Sequence, residues 1–366
     1  MPILAIDCEG PITQNDNAFE LCEAFIPNGG AFFARVSKYD DFLADVERRP
    51  GYKAGDTLRL ILPFLKSFGV TDSEMESFSK KTLLLLPGAR DLLSLLSRLL
   101  PAFIISTSYR PYLHALCAVT GFPPDQVFCT DLELDGYILP EEEERALRAL
   151  ALEIASQPLL SWPESAGGRE DLSCPEREVL ERLDKIFWQI IPEMKIGRIF
   201  RDVNPVGGAE KARSVEKALS RSSARISDCL YVGDSITDVQ ALTLVREGGG
   251  AAISFNGNAY ALKAAGWACI CPHTAIIGAF SRLAVLRGAG AIASLAPPGA
   301  ALRGRELVQR LLSLGVEDTF LAPLAQAVEA GYPALVNLAG GDSALVIQES
   351  EAMRKKVRGL AVGSLG

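Results

Sequence analysis

The stretch Pro2-Ile3-Leu4-Ala5-Ile6-Asp7-Cys8-Glu9-Gly10-Pro11 runs apolar for five residues and then stops on two acids, a glycine and a proline. A short apolar run ended by turn residues predicts a strand buried on both faces. This one delivers Asp7 and Glu9 to a loop at its carboxyl end. Similar runs recur at residues 102–106, 127–130, 229–232, 251–254 and 268–271, with amphipathic helical patterns at 88–99, 110–120, 208–220, 238–247 and 259–266. Strand alternating with helix predicts a Rossmann-like α/β fold, a doubly wound parallel sheet whose ligands bind beyond the carboxyl ends of the strands. Asp7, Glu9, Ser106 and Asp234 all fall at such ends.

Three segments stand outside that alternation. Residues 14–84 read as helical, broken at Pro27-Asn28-Gly29-Gly30, with Thr71-Asp72-Ser73-Glu74 as a capping box that opens a further helix. They predict a small helical cap. Residues 138–205 begin with the acids 141–144, whose plain reading is a solvated helix N-terminus complementing the macrodipole. They pass through a loop at 162–168 into a second helical pattern at 176–191, and form an insertion of unknown role. Residues 286–366 start with a Gly/Ala/Pro linker and continue Leu/Ala-rich, which predicts a C-terminal helical extension used for packing or homo-oligomerisation. The core is then assembled from 1–13, 85–137 and 206–285.

Composition narrows the function. The 366 residues are 48% hydrophobic and 22% charged, a globular balance, and the length suggests about two to three structural units. A net charge of -8 offers no sequence-wide attraction to nucleic acid or anionic lipid, so small molecules or proteins are the expected partners. Two histidines, His114 and His273, cannot build a multi-His metal cluster, which leaves carboxylates as the main chemical groups. Eight dispersed cysteines suit free thiols in a reducing cytoplasm. The first residues have no signal-peptide pattern, and the most apolar stretch, 82–106, is broken by Pro87, Arg90, Asp91, Arg98 and Pro101, so a soluble cytoplasmic protein is expected.

Four features carry candidate chemistry, and each has a plain alternative. Asp7-x-Glu9 offers two acids able to bind a divalent cation and to divide nucleophilic and acid/base roles, though any strand can end in acids. Ser106, followed by Thr107, offers a hydroxyl and backbone N–H groups to an oxyanion, or simply opens a turn. Lys211 follows Gly207-Gly208 near a helix start, where the macrodipole does not favour a cation, so it needs an anionic partner or solvent. Gly233-Asp234-Ser235-Ile236-Thr237-Asp238 places two carboxylates four residues apart after a strand, where aspartates also serve as helix caps.

Taken in order, these pieces resemble the haloacid dehalogenase superfamily, and most of all its phosphoserine-phosphatase branch. The matching motifs are LAIDCEGP, FIISTSY, Lys211 and YVGDSITD, with Leu86-Pro87-Gly88 and Ser254-Phe255-Asn256-Gly257-Asn258 as further similarity. The start DCEGPITQNDNAFEL also resembles haloacid dehalogenase-type accessory subunits of energy-converting hydrogenase in methanogens. The resemblance implies a Mg²⁺-dependent phosphatase acting on a small phosphorylated metabolite. It makes Asp7 the nucleophile and Glu9 the acid/base, with Ser106 and Lys211 gripping phosphoryl oxygens. It assigns metal binding to the Asp7 carboxylate, the Glu9 main chain and the Asp234 carboxylate, supported by Asp238 and Thr107.

The similar phosphatases carry a glutamate that meets a substrate ammonium where this chain has Asp16, so Asp16 either does the same or caps the helix beginning near Asn17. Glu9 departs from the usual aspartate by one methylene, which bears on proton delivery. The competing reading is a haloacid dehalogenase fold kept as a regulatory or accessory subunit, and phosphotransfer to an acceptor other than water is also open. Plain structural roles are expected for Cys8, Cys269, Cys271 and His114. Tyr109, Arg110, Phe32, Phe33, Arg35 and Tyr39 can equally pack helices or touch substrate.

Overall fold

The computed structural model describes residues 1–163, 165–340 and 344–363. Glu164 of the expected loop, and 341–343 and 364–366 of the tail, lie outside the described residues. Strand β1 (Ile3–Ile6) is buried along its whole length and takes an interior place, third in an eight-stranded sheet. The others are β2 (Ala102–Tyr109), β3 (Val127–Thr130), β4 (Cys229–Gly233), β5 (Ala251–Phe255), β6 (Trp267–Ile270), β7 (Ala301–Arg303) and β8 (Ala334–Asn337), in spatial order β3-β2-β1-β4-β5-β6-β8-β7. From β3 to β6 all pairings are parallel, as alternation with helices requires. Ile6 lies opposite Ile104 on one side and Val232 on the other, so the chain leaves β1 and β4 at the same edge and Asp7 meets Asp234 there.

Helices cover both faces. Ala89–Leu99 and Ala275–Arg287 bury Leu92, Leu96, Ile276 and Phe280 against one, while Ala209–Arg221 and Val239–Glu247 bury Val215, Ala218, Leu242 and Val245 against the other. The chain from 286 onward corrects the expectation of a purely helical extension. It adds β8 antiparallel to β6, then β7 antiparallel to β8. The four residues of β8 are all buried, and an apolar run that short carries no period separating strand from helix. Pairing also covers the edge β6 would otherwise expose.

Residues 14–84 form the helices Asn17–Phe25, Gly29–Asp41, Thr57–Ser67 and Asp72–Thr82. The capping box is present, with Glu74 N donating to Thr71 Oγ1 at 3.2 Å and Thr71 N to Glu74 Oε2 at 2.8 Å. The insertion helices Glu141–Ser156 and Cys174–Lys185 join the same hydrophobic cluster. Phe64, for instance, meets Phe32 at 4.9 Å and Phe187 at 6.1 Å between ring centroids. Insertion and cap therefore share one core, largely separate from those flanking the sheet. No helix among the described residues is long and apolar enough to cross a membrane.

Candidate active site

The floor of the site is a buried ion cluster. Lys211, in the first turn of Ala209–Arg221, is wholly buried, and its Nζ donates to Asp7 Oδ2 at 2.6 Å and to Asp238 Oδ1 at 2.7 Å. Two carboxylates are the anionic partner that a lysine so placed requires. Although burial opposes its charge, Asp238 and Asp7 hold the ammonium above the ordinary lysine range. The other Asp7 oxygen accepts from Cys8 N at 2.7 Å. Burial, reinforced by Asp238, pushes the Asp7 carboxyl up, against the pull of Lys211.

Asp238 is fully engaged. Its Oδ1 also accepts from Tyr231 Oη at 2.7 Å, and its Oδ2 accepts from the backbone N–H groups of Asp234 and Ser235, both at 3.0 Å. Burial opposes the charge here too, but Lys211 and these hydrogen bonds hold Asp238 below the usual carboxylate range. Gly233 permits this approach, since a Cβ there would lie 2.5 Å from Asp238 Cγ. Asp238 thus orients Lys211.

Asp234 hangs over the same point. Asp7, Asp234 and Asp238 each place a carboxylate oxygen within 4.8 Å of the others. Gly10, at φ 101°, makes room, because a Cβ would fall 2.1 Å from Asp234 Oδ2. A buried set of hard oxygen donors fits Mg²⁺ rather than a thiophilic metal. Each Asp238 oxygen already accepts at least two hydrogen bonds, whereas each Asp7 oxygen accepts one, so Asp7 and Asp234 are the side chains with capacity to hold it. Asp234 Oδ1 accepts no hydrogen bond from a described residue.

Above this floor a cleft of about 690 Å³, mouth included, is lined by Asp7, Glu9, Thr107 and Asp234 from the core side and by Asp16, Phe33, Ser37, Asp40, Asp41 and Thr57 from the cap. Glu9 spends its extra methylene on the cap, where Oε1 accepts from Asn17 N at 2.8 Å. Burial and then Asp16 hold its carboxyl well above the usual range. Asp16 caps Asn17–Phe25, accepting from Phe19 N at 3.0 Å, while still lining the cleft.

Ser106 is buried beneath the cleft, its Oγ accepting from Ser108 N at 3.2 Å, and Thr107 is the one of the two on the wall. The Thr107 hydroxyl donates to Val206 O at 3.1 Å, tying β2 to the segment before Lys211. Phe33 lines the cleft, whereas Phe32 and Tyr39 are packed in the cap core. Arg35 bonds Gln157 O, Tyr109 bonds Leu58 O and Arg110 pairs with Asp131. His114 is exposed on its helix, and Cys8, Cys269 and Cys271 are buried free thiols.

Two residues escaped the sequence reading altogether. Arg354 and Arg358, on the helix Ala344–Arg358, enter the cleft wall and pair with Asp234 Oδ2, Arg358 at 3.2 Å. Their spacing of four on a helix is the only sequence signal, and solvent-facing arginines show it equally.

The sequence matches no protein-family model and no curated protein. Among solved structures it is similar to the gene product AF1437 from Archaeoglobus fulgidus, at 29% identity and TM-score 0.78, covering 100% of this chain and 99% of that one. A HAD family hydrolase from Salmonella enterica subsp. enterica serovar Typhi shares 11% identity over 72% of this chain and 65% of its own, at TM-score 0.42. A phospho-aspartyl intermediate analogue of phosphoserine phosphatase shares 14% over 74% and 92%, at TM-score 0.43. At that level of likeness neither bears on chemistry. The chain thus shares the fold of the Archaeoglobus fulgidus protein from end to end, and its tail is part of that shared fold.

Proposed function

We propose that the chain is a haloacid dehalogenase-type phosphatase hydrolysing a small phosphate monoester through an aspartyl-phosphate on Asp7, with Mg²⁺ as cofactor. The observation that carries this reading is the Asp7 carboxylate, held by Lys211 at 2.6 Å beneath a cleft that also receives Glu9 and Asp234. In the first step an Asp7 oxygen bonds to phosphorus as the ester P–O bond breaks, and Glu9, whose acid form burial favours, gives its proton to the departing alkoxide. In the second, Glu9 as carboxylate takes a proton from the water that attacks phosphorus, and Asp7 leaves with inorganic phosphate released. Lys211 offsets charge on Asp7 throughout. Mg²⁺ held by Asp7 and Asp234 would supply charge neutralisation for the phosphoryl oxygens.

Asp16, on the cleft wall, makes an amino-bearing ester such as phosphoserine the first substrate to try. A panel of phosphorylated metabolites with Mg²⁺ tests the function, and Asp7→Asn tests the covalent step. The variant is expected to lose about 10³-fold or more in turnover, and retained turnover would remove the aspartyl-phosphate. A second reading, a regulatory or accessory subunit, is favoured by the guanidinium groups already pairing with Asp234. A stable stoichiometric partner in a pull-down, with no turnover of any ester, selects it.

A further inference from the structure

The proposed mechanism leaves Arg354 and Arg358 unused, yet they are buried to 3% and 9% exposure in the wall of the cleft. Arg354 Nη1 bonds both Asp234 Oδ2 and, at 3.2 Å, the Asp234 main-chain oxygen. Arg358 adds its own bond to Oδ2 and reaches Gln14 O at 3.1 Å and Asn15 O at 2.5 Å, where the chain leaves the core for the cap. The Asn15 side chain in turn binds Thr82 O at 2.9 Å and Leu84 N at 2.8 Å, where the chain returns. One turn before Arg354, Ser350 Oγ donates to Gly257 O at 2.7 Å. The C-terminal helix is therefore fastened across the motif loop and both cap connections at once.

Asp234 is also the carboxylate that a divalent cation would share with Asp7. A guanidinium on one of its oxygens and a cation on the other repel each other at close range and low dielectric. We infer that Arg354 competes with a cation for the Asp234 carboxylate. It fixes the Asp234 carboxylate and supplies it with charge, so docking of the C-terminal helix and divalent-cation binding are antagonistic. The inference rests on the reading of Asp7 and Asp234 as cation ligands. Coupling of this kind is reciprocal, so the cation loosens the helix by the factor by which the helix weakens the cation.

Two measurements on the full chain test it. Calorimetric titration with Mg²⁺ is expected to show Arg354→Gln binding about tenfold tighter or more than wild type, with Arg354→Lys close to wild type. Hydrogen exchange of wild-type Ala344–Arg358 is expected to accelerate when Mg²⁺ is added. Equal or weaker Mg²⁺ affinity in Arg354→Gln marks the pair as a mere staple and overturns the inference. Unchanged protection of the helix with Mg²⁺ bound does the same, even where the variant fails to fold. Asp234→Asn separates the layers. If it abolishes wild-type Mg²⁺ binding, the cation reading stands whatever Arg354 does, whereas no Mg²⁺ binding by wild type or Arg354→Gln removes reading and inference together.

Discussion

Lys211 and the Arg354/Arg358 pair do the same electrostatic work on opposite sides of one carboxylate cluster. Lys211 bridges Asp7 and Asp238 from a helix packed on one face of the sheet, while the arginines reach Asp234 from the last long helix of the chain. Lys211's helix buries Val215 and Ala218 against that face. The helix Ala344–Arg358 is held by Ser350 on Gly257, by Arg358 on residues 14 and 15, and by Met353 packed against Ile270 of β6 and Ala334 of β8. Like charges thus come from within the core on one side and from the tail on the other, and it is the tail's arginines that sit on Asp234.

The sharpest way to break this contrast is Lys211→Met. It strands two buried carboxylates and is expected to cost about 3–5 kcal/mol in urea denaturation. Arg354→Gln leaves Asp234 its Arg358 and should cost about 1–3 kcal/mol. Equal losses would erase the distinction between floor and wall. Glu9→Gln comes next, with turnover down about 10²-fold or more from the lost proton donor. Because burial raises the Glu9 carboxyl above its usual range, its acid form persists to higher pH, and wild-type kcat/KM should fall as pH rises through that raised value. In Glu9→Gln this alkaline limb should be missing, and its survival would assign the acid elsewhere. Smallest is Thr71→Ala, at a cap-helix start outside the residues that line the cleft. It should cost about 1 kcal/mol of stability and leave turnover unchanged, and a loss of turnover would show that cap helices feel the floor directly.

Most of the parallel core could be read in advance because its strands are buried on both faces, so each appears as an apolar run ending where chemistry begins. Residues 127–130 form β3 with the expected bounds, and the helix Arg110–Thr120 likewise. Asp7, Asp234 and Asp238 were visible because strand ends force them to one edge. Ser106 shows the limit of that logic. It ends the apolar run as expected, but β2 continues to Tyr109, so Thr107 rather than Ser106 reaches the cleft. Glu9 was visible as an acid, while its bond to Asn17 N was not, because that bond depends on where the cap helix starts.

The alternation of apolar runs with amphipathic helices is a local property, and it was enough to specify the core sheet, the acid-bearing edge and the need of Lys211 for an anion. Closure of the cleft is not local. Joining the insertion to the cap needed the packing of Phe64 against Phe187, and seating Arg354 and Arg358 on Asp234 needed contacts across 120 and 124 residues of chain. Two arginines one helical turn apart look alike in sequence whether they face water or a buried aspartate. Folding alone brings the tail to Asp234, and with it the charge that a cation bound there would meet.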